Sequence, residues 1–307
     1  MEIFVQQLVN GLLLGAIYAL VALGYTMVYG ILGLINFAHG DIVMVGAMVA
    51  LSVVYAMAGS TFPVAVVLII ATLAAVVVCV ALGLLIERTA YRPLRHAPRL
   101  APLITAIGVS ILLQYTAALV WGKQYISMPE IVKPARFEFA GATVTSMQLF
   151  IFVLACVIMA ALLWFVKASR MGRAMRATEQ NPDVAGLMGV DTTRVIAFTF
   201  ALGASIGAIA GVMVVLYYGQ GHYFMGFMLG LKAFTAAVLG GIGNIPGAML
   251  GGLLLGIIES LAAGYMGDIT GGVFGSNYRD VYAFFVLVGV LMLRPSGLMG
   301  VRSGDRA

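Results

Sequence analysis

The sequence predicts an all-α polytopic integral membrane protein with about eight or nine transmembrane helices, the N-terminus outside and the C-terminus cytoplasmic. Composition is the first observation behind this. With 62% hydrophobic residues, 9% charged residues and a mean hydropathy of +1.07, polar groups are too few to cover a water-soluble fold. The second is charge placement: twelve of the seventeen Lys and Arg residues fall in three short polar stretches. These carry Arg88, Arg92, Arg95 and Arg99; Lys167, Arg170, Arg173, Arg176 and Arg194; and Arg294, Arg302 and Arg306. The third is length. A span needs about 20 apolar residues, so 307 residues hold that many spans joined by short loops.

Taken in order, the apolar runs predict spans over 5–32, 41–58, 62–86, 101–121, 148–167, 195–218, 227–242, 246–266 and 281–293. The N-terminus reads Met1-Glu2-Ile3-Phe4 without a basic n-region, as expected of a retained first span and not of a cleaved signal peptide. The seventh and ninth runs are short, as broken or partial crossings would be, so the number of full crossings is eight or nine. Placing the basic stretches inside closes the topology. The long loop 122–147 then lies outside with Lys123, Lys133 and Arg136 against Glu130 and Glu138, as does the segment around Asp268, Arg279 and Asp280. The net charge of +5 reflects topology and anionic lipid at the inner surface. No aromatic-interleaved basic patch points to nucleic acid. Cys79 and Cys156 lie within apolar runs, which predicts two buried thiols and no disulfide framework.

The 38 glycines recur at helical spacing: Gly11 and Gly15; Gly203, Gly207 and Gly211; Gly247 and Gly251; Gly252 and Gly256. A face without side chains lets helix backbones approach where lipid supplies no hydrophobic drive. Tight packing is the expected use, and lining a substrate path the alternative. Gly15-Ala16-Ile17 recurs as Gly207-Ala208-Ile209, a hint of the internal repeats common in transporters.

Within the polar segment 168–194, residues 169–194 read SRMGRAMRATEQNPDVAGLMGVDTTR. Asn181 suits an N-cap, Pro182 the first helical position, and Asp183 the positive end of the dipole. A short helix follows through Val184, Ala185, Gly186, Leu187 and Met188, with Gly189 as its stop. Val184, Leu187 and Met188 share one face. That face suits docking of a cytoplasmic partner; resting on the membrane is the alternative, though such anchors usually carry a larger apolar face with Trp or Phe.

Three stretches resemble a known family. GRAMRATEQNPDVAGLMGVD is similar to the coupling segment of bacterial ABC-importer permeases. GLLLGAIYALVALGYTMVYGILGLINFAHGDIVMVGA and AVLGGIGNIPGAMLGGLLLGIIES strengthen the match. Together, in order over about residues 8–300, they resemble the LivH-type subunits of the branched-chain amino acid permease family. The resemblance implies a single transmembrane permease domain over 1–307, with 168–194 as its cytoplasmic coupling segment. It also implies a bacterial inner-membrane location and an ATP-driven importer of branched-chain amino acids. The partners implied are a second related permease subunit, two cytoplasmic ATPases and a periplasmic binding protein. Permeases for urea or another small amino acid look alike.

The chain carries no G-x-x-x-x-G-K-[ST] loop, because Gly122-Lys123 is followed by Gln124, so nucleotide binding is expected on other subunits. H-E-x-x-H does not occur, and G-x-S-x-G appears only as Gly203-Ala204-Ser205-Ile206-Gly207 inside the predicted span 195–218, not at the strand-to-helix turn the motif needs, which argues against an enzyme. No cofactor is expected, and His39, His96 and His222 show no metal-ligand spacing. Ionisable groups at membrane depth are expensive and so point to function. His39 and Asp41 sit in Asn36-Phe37-Ala38-His39-Gly40-Asp41, between the first two spans. One reading is a helix start at the cytoplasmic interface, capped by Asn36 or Asp41. The other is a break nearer the midplane that presents helix-end dipoles to a zwitterionic substrate. Lys232 reads as snorkelling outward, while Glu259 lies well within the next span; the two pair only if their helices lie side by side. Asn36, His39, Asp41, Lys232 and Glu259 are therefore the candidate substrate-path residues. A self-sufficient channel or secondary transporter could use the same charges, but would have no need of a docking helix.

Overall fold

The computed structural model describes residues 2–95, 97–98, 100–129, 135–139, 141–294 and 296–300. His96, Arg99, Glu130, Lys133, Arg302 and Arg306 lie outside the described residues. The helices are α1 (Glu2–Leu32), α2 (His39–Ala56), α3 (Val64–Ile86), α4 (Leu100–Trp121), α5 (Ser146–Ala168), α6 (Arg170–Gln180), α7 (Pro182–Leu187), α8 (Thr192–Tyr218), α9 (Met225–Gly240), α10 (Ile245–Ile269) and α11 (Arg279–Leu293). Two small antiparallel pairings join β1 (Ile126–Ser127) to β4 (Gln220–Gly221), and β2 (Arg136–Phe139) to β3 (Ala142–Thr145).

Every predicted span coincides with a helix. Among the described residues, seven helices are long and apolar enough to cross a membrane, and α9 is a shorter apolar helix. α9 and α11, at 16 and 15 residues, are the two short runs. The chain folds as two compact units. One comprises residues 1–26, 134–159 and 231–307; the other comprises 27–133 and 160–230.

In the first unit α1 packs against α10 along a glycine seam. A Cβ on Gly15 would stand 2.7 Å from Leu253 Cα, and one on Gly11 2.7 Å from Ile257 Cα. Gly252 and Gly256 face Ala19 and Gly15 from the other side. At this seam the glycines are packing residues, as expected for helices that associate within lipid. At one end of the unit Gln6, near the start of α1, hydrogen-bonds through Oε1 to the Thr143 amide of the β2–β3 hairpin, at 2.8 Å. At the other end, Leu298 and Met299 donate backbone bonds to Leu239 and Gly240. The N-terminus thus shares a side with the 136–145 hairpin, and the C-terminal segment shares a side with the α9–α10 turn.

The second unit is built on α2, α3 and α8. α3 shows the inverted pattern of a lipid-facing helix: Ala71, Ala75, Cys79 and Gly83 form a small inward stripe, while Ile69, Leu73, Val77 and Leu85 point out. Cys79 donates to the Ile42 carbonyl at 3.4 Å. The expectation of two buried thiols fails for Cys156, which is exposed. An apolar span is apolar all round, so hydropathy cannot separate its protein face from its lipid face. At one end of this unit Tyr55 donates to Ser127 O at 2.5 Å, Trp121 to Ser52 at 2.7 Å, and β1 pairs with β4. At the other, Arg95 donates to Thr193 at 3.1 Å. The first two basic stretches therefore meet on one side, as the topology required.

Candidate functional site

α1 ends at Leu32, where Gly30 lies beside Glu179 of α6, and the connection from Gly33 runs inward to His39, where α2 begins. Ser110, the eleventh of the 22 residues of α4, donates to Asp41 Oδ2 at 2.5 Å. Gln114, one turn on, donates to Asp41 Oδ1 at 3.1 Å and to Ser110 at 3.0 Å. The His39 ring lies over Gly207, sixteenth of the 27 residues of α8, where a Cβ would stand 3.3 Å from Cε1. Two neighbouring helices thus place the start of α2 at mid-height. Of the capping roles expected, Asp41 caps nothing, and the α2 N-terminus has no side-chain cap. Asn36 instead accepts from the Ala38 amide at 3.1 Å, satisfying one donor of the buried connection. Non-helical backbone at such depth is tolerated only where protein surrounds it, and Asn36 and Ala38 are buried.

The start of α9 approaches the same place. A Cβ on Gly226 would stand 2.9 Å from Asp41 Cα, and one on Gly40 would stand 2.7 Å from Gly230 Cα. Only glycine on both sides permits this approach. α2 and α9 both begin inside the bundle, which explains why α9 is short.

Lys232 sits in the other unit, eighth of the 16 residues of α9. It does not snorkel. Its Nζ lies 2.8 Å from Glu259 Oε1 and 2.6 Å from Asp280 Oδ1, with side-chain exposures of 8%, 0% and 44% respectively. Tyr18 donates to Glu259 Oε1 at 3.2 Å, and Arg279 Nε lies 3.7 Å from the same oxygen. The Tyr18 ring centroid is 5.5 Å from Nζ. The pairing left open by the sequence therefore forms, because α9 and α10 are adjacent and α11 begins beside them. An outward route for the ammonium is unnecessary when two carboxylates reach it.

The segment 168–194 holds two helices. α6, which the sequence reading passed over, is capped by Ser169, whose Oγ accepts from Gly172 N at 2.8 Å. Arg176 turns back to the Val166 carbonyl near the end of α5. α7 then starts as expected: Asn181 Oδ1 accepts from the amides of Asp183 and Val184, both at 3.0 Å, and Pro182 takes the first position. Gly189 follows with φ +87°, a conformation other residues rarely adopt. Leu187 and Met188 are 87% and 81% exposed and Val184 51%. Ala185 points inward and is buried, while Gly186 is open, with nothing within 4 Å of a Cβ placed there.

Sequence reasoning missed Ser110, Gln114, Tyr18 and Asp280 as partners of the candidate residues. Ser110 and Gln114 left a signal: two polar residues one turn apart in an otherwise apolar span. Asp280 was assigned to an external segment, with nothing to show that the start of α11 turns back on α9. Among the described residues no group of three His, Cys, Asp or Glu side chains could hold a metal ion.

The model of the family described as branched-chain amino acid transport system permease component matches residues 7–293. The chain is 44% identical over 302 residues to the high-affinity branched-chain amino acid transport system permease protein LivH of Escherichia coli K12, covering 97% of this chain and 96% of that protein. It is 45% identical over 305 residues to the corresponding permease protein BraD of Pseudomonas aeruginosa, with the same coverages of 97% and 96%. Among solved structures, PsaBC from Streptococcus pneumoniae in complex with Fab matches with a TM-score of 0.50 at 13% identity, covering 94% of this chain and 91% of that one. At that identity the likeness concerns the fold alone.

Proposed function

The chain belongs to the branched-chain amino acid transport permease family, and on that premise we propose that it forms half of the translocation path of an ATP-driven importer of branched-chain amino acids. It is a transport subunit and not an enzyme, and it acts as one subunit of a larger importer. Identity of 44–45% across nearly the whole of two permease relatives carries this reading. The partners that complete it are a second related permease, two cytoplasmic ATPases and a periplasmic binding protein. The chain itself holds no cofactor.

Residues 1–307 form one transmembrane permease domain in the bacterial inner membrane, with the N-terminus outside and the C-terminus inside. Residues 168–194 are its cytoplasmic coupling segment. Supporting this, the basic residues Arg95 and Arg194 lie at the same end of their unit, the end expected to face the cytoplasm. ATPase docking is assigned to Asn181, Pro182, Asp183, Ala185, Gly186, Leu187 and Gly189. Asn181 and Pro182 set the start of α7, Asp183 favours its dipole, and Ala185 seats it. Leu187 and the open backbone at Gly186 face the partner, together with Val184 and Met188.

The substrate path takes in Asn36, His39 and Asp41 at the buried start of α2; Lys232 and Glu259, candidates on sequence grounds, pair with each other within the other unit and serve to anchor its helices. Apolar amino acids need few dipoles for their ammonium and carboxylate, and tight binding inside the membrane would slow release. Selectivity accordingly rests on the external binding protein.

The test is reconstitution in proteoliposomes with both permeases, the ATPases and the binding protein. ATP-dependent uptake of leucine, isoleucine and valine is expected. Uptake of urea or another small solute in their place would move the substrate within the family. Uptake by this chain alone would make it a self-sufficient channel or secondary transporter.

A further inference from the structure

We propose that Arg95 and Thr193 form a positioning tether that holds the end of α3 to the first turn of α8, and so fixes how movement of α7 enters the membrane helices. This deepens the coupling role proposed above and rests on it. After Ile86 the α3 helix widens into a π turn over Glu87–Tyr91 and tightens into a 3-10 turn over Arg92–Leu94. Such departures re-aim side chains and recur at functional sites. Here they bury Glu87, an acidic residue 3% exposed, and bring Arg95 back beside it. Arg95 Nη2 pairs with Glu87 Oε1, and Nη1 donates to Thr193 Oγ at 3.1 Å. A planar guanidinium can span two elements in this way, whereas a Lys ammonium is a point charge on a flexible stem.

Two turns along α8, the Phe200 ring meets Tyr91 of the π turn at 5.2 Å between centroids. The end of α3 thus grips one face of α8 at two places. The path from α7 to the nearer grip is short and ordered. Val190 N donates to Ala185 O at 3.0 Å, and Asp191 caps α8 by accepting from Arg194 N at 3.1 Å. Thr193 follows within the first turn. Because Asp191 already caps α8, and Glu87 already neutralises Arg95, neither duty needs the Thr193 hydroxyl. What that hydroxyl adds is the link between α3 and α8, at the point where a push on α7 would arrive.

The test compares Thr193→Val, Thr193→Ser and Arg95→Lys in the full importer in proteoliposomes. It measures retained ATPase, melting temperature, ATP hydrolysis and uptake per ATP. Thr193→Val keeps the volume and loses the acceptor. With Arg95→Lys it is expected to retain the ATPases and to melt within a few degrees of wild type, while uptake per ATP falls about tenfold, the scale of one lost hydrogen bond to a charged group. Thr193→Ser restores the acceptor and stays near wild type. Unchanged uptake per ATP in Thr193→Val, or a loss that only follows a lowered melting temperature, overturns the tether. Failure of the wild-type chain to retain ATPases would instead sink the coupling role beneath it.

Discussion

The two units of this chain each bury a carboxylate and stabilise it by opposite means. Asp41 is wholly buried and is held by a hydroxyl and an amide from α4, among neutral groups. Glu259 is equally buried, but answers an ammonium that a second carboxylate, Asp280, also reaches. Dipoles satisfy a charge without cancelling it; an ion pair cancels it and ties the helices that carry the partners. The Lys232 cluster therefore reads as an anchor joining α9, α10 and α11, and the Asp41 cluster as a charge held in reserve at the start of a helix that begins at mid-height.

The largest expected effect follows from breaking the anchor. Lys232→Met leaves Glu259 buried without its nearest cation, and loss of one member of a buried pair costs about 3–5 kcal/mol. The unfolding midpoint in SDS or detergent should drop accordingly, with lower accumulation in the membrane. Combining it with Glu259→Leu removes the orphaned charge and should recover most of that loss. If the double variant is no more stable than the single, the cluster is not an anchor.

Asp41→Asn sharpens the other side of the comparison. The amide can still accept from Ser110, so the unfolding midpoint should move by no more than about 1 kcal/mol. Uptake should slow, while the choice of amino acid stays with the binding protein. Substitutions at Asn36 and His39 should likewise change rate more than selectivity. Altered selectivity with the same binding protein would contradict that division of labour. Full-rate uptake in Asp41→Asn would show that its charge is not used.

The smallest effect belongs to Gln114→Leu. Asp41 keeps its bond from Ser110, and membrane hydrogen bonds average about 0.6 kcal/mol. A loss as large as that of Lys232→Met would erase the distinction between the two clusters.

All nine predicted spans proved helical because each apolar run is long enough to state its own identity. The cap, first residue and stop of α7 were legible for a related reason: Asn181, Pro182 and Gly189 act through local backbone geometry. Depth was not legible. Hydropathy records that a segment is apolar, and not where along its neighbours it begins, so Asp41 was compatible with both the interface and the midplane. Pairing across helices was also hidden, since the Lys232–Asp280 contact depends on the fold of the segment between α10 and α11. α6 was passed over because its many charged residues mask a helix whose buried side is only Gly172, Met175 and Thr178. The small stripe of α3 was readable in principle, being Ala, Ala, Cys and Gly at spacings of four.

The central claim is that this chain works by coupling through α7, and Gly186→Glu tests it most directly. The position is open, with nothing within 4 Å of a Cβ placed there, and the substitution puts a charge beside the exposed Leu187 surface. In the reconstituted importer, hydrolysis stimulated by the loaded binding protein should fall to the unstimulated level, while the permease inserts and accumulates normally. Stimulated hydrolysis and uptake that both persist at wild-type rates would contradict the account.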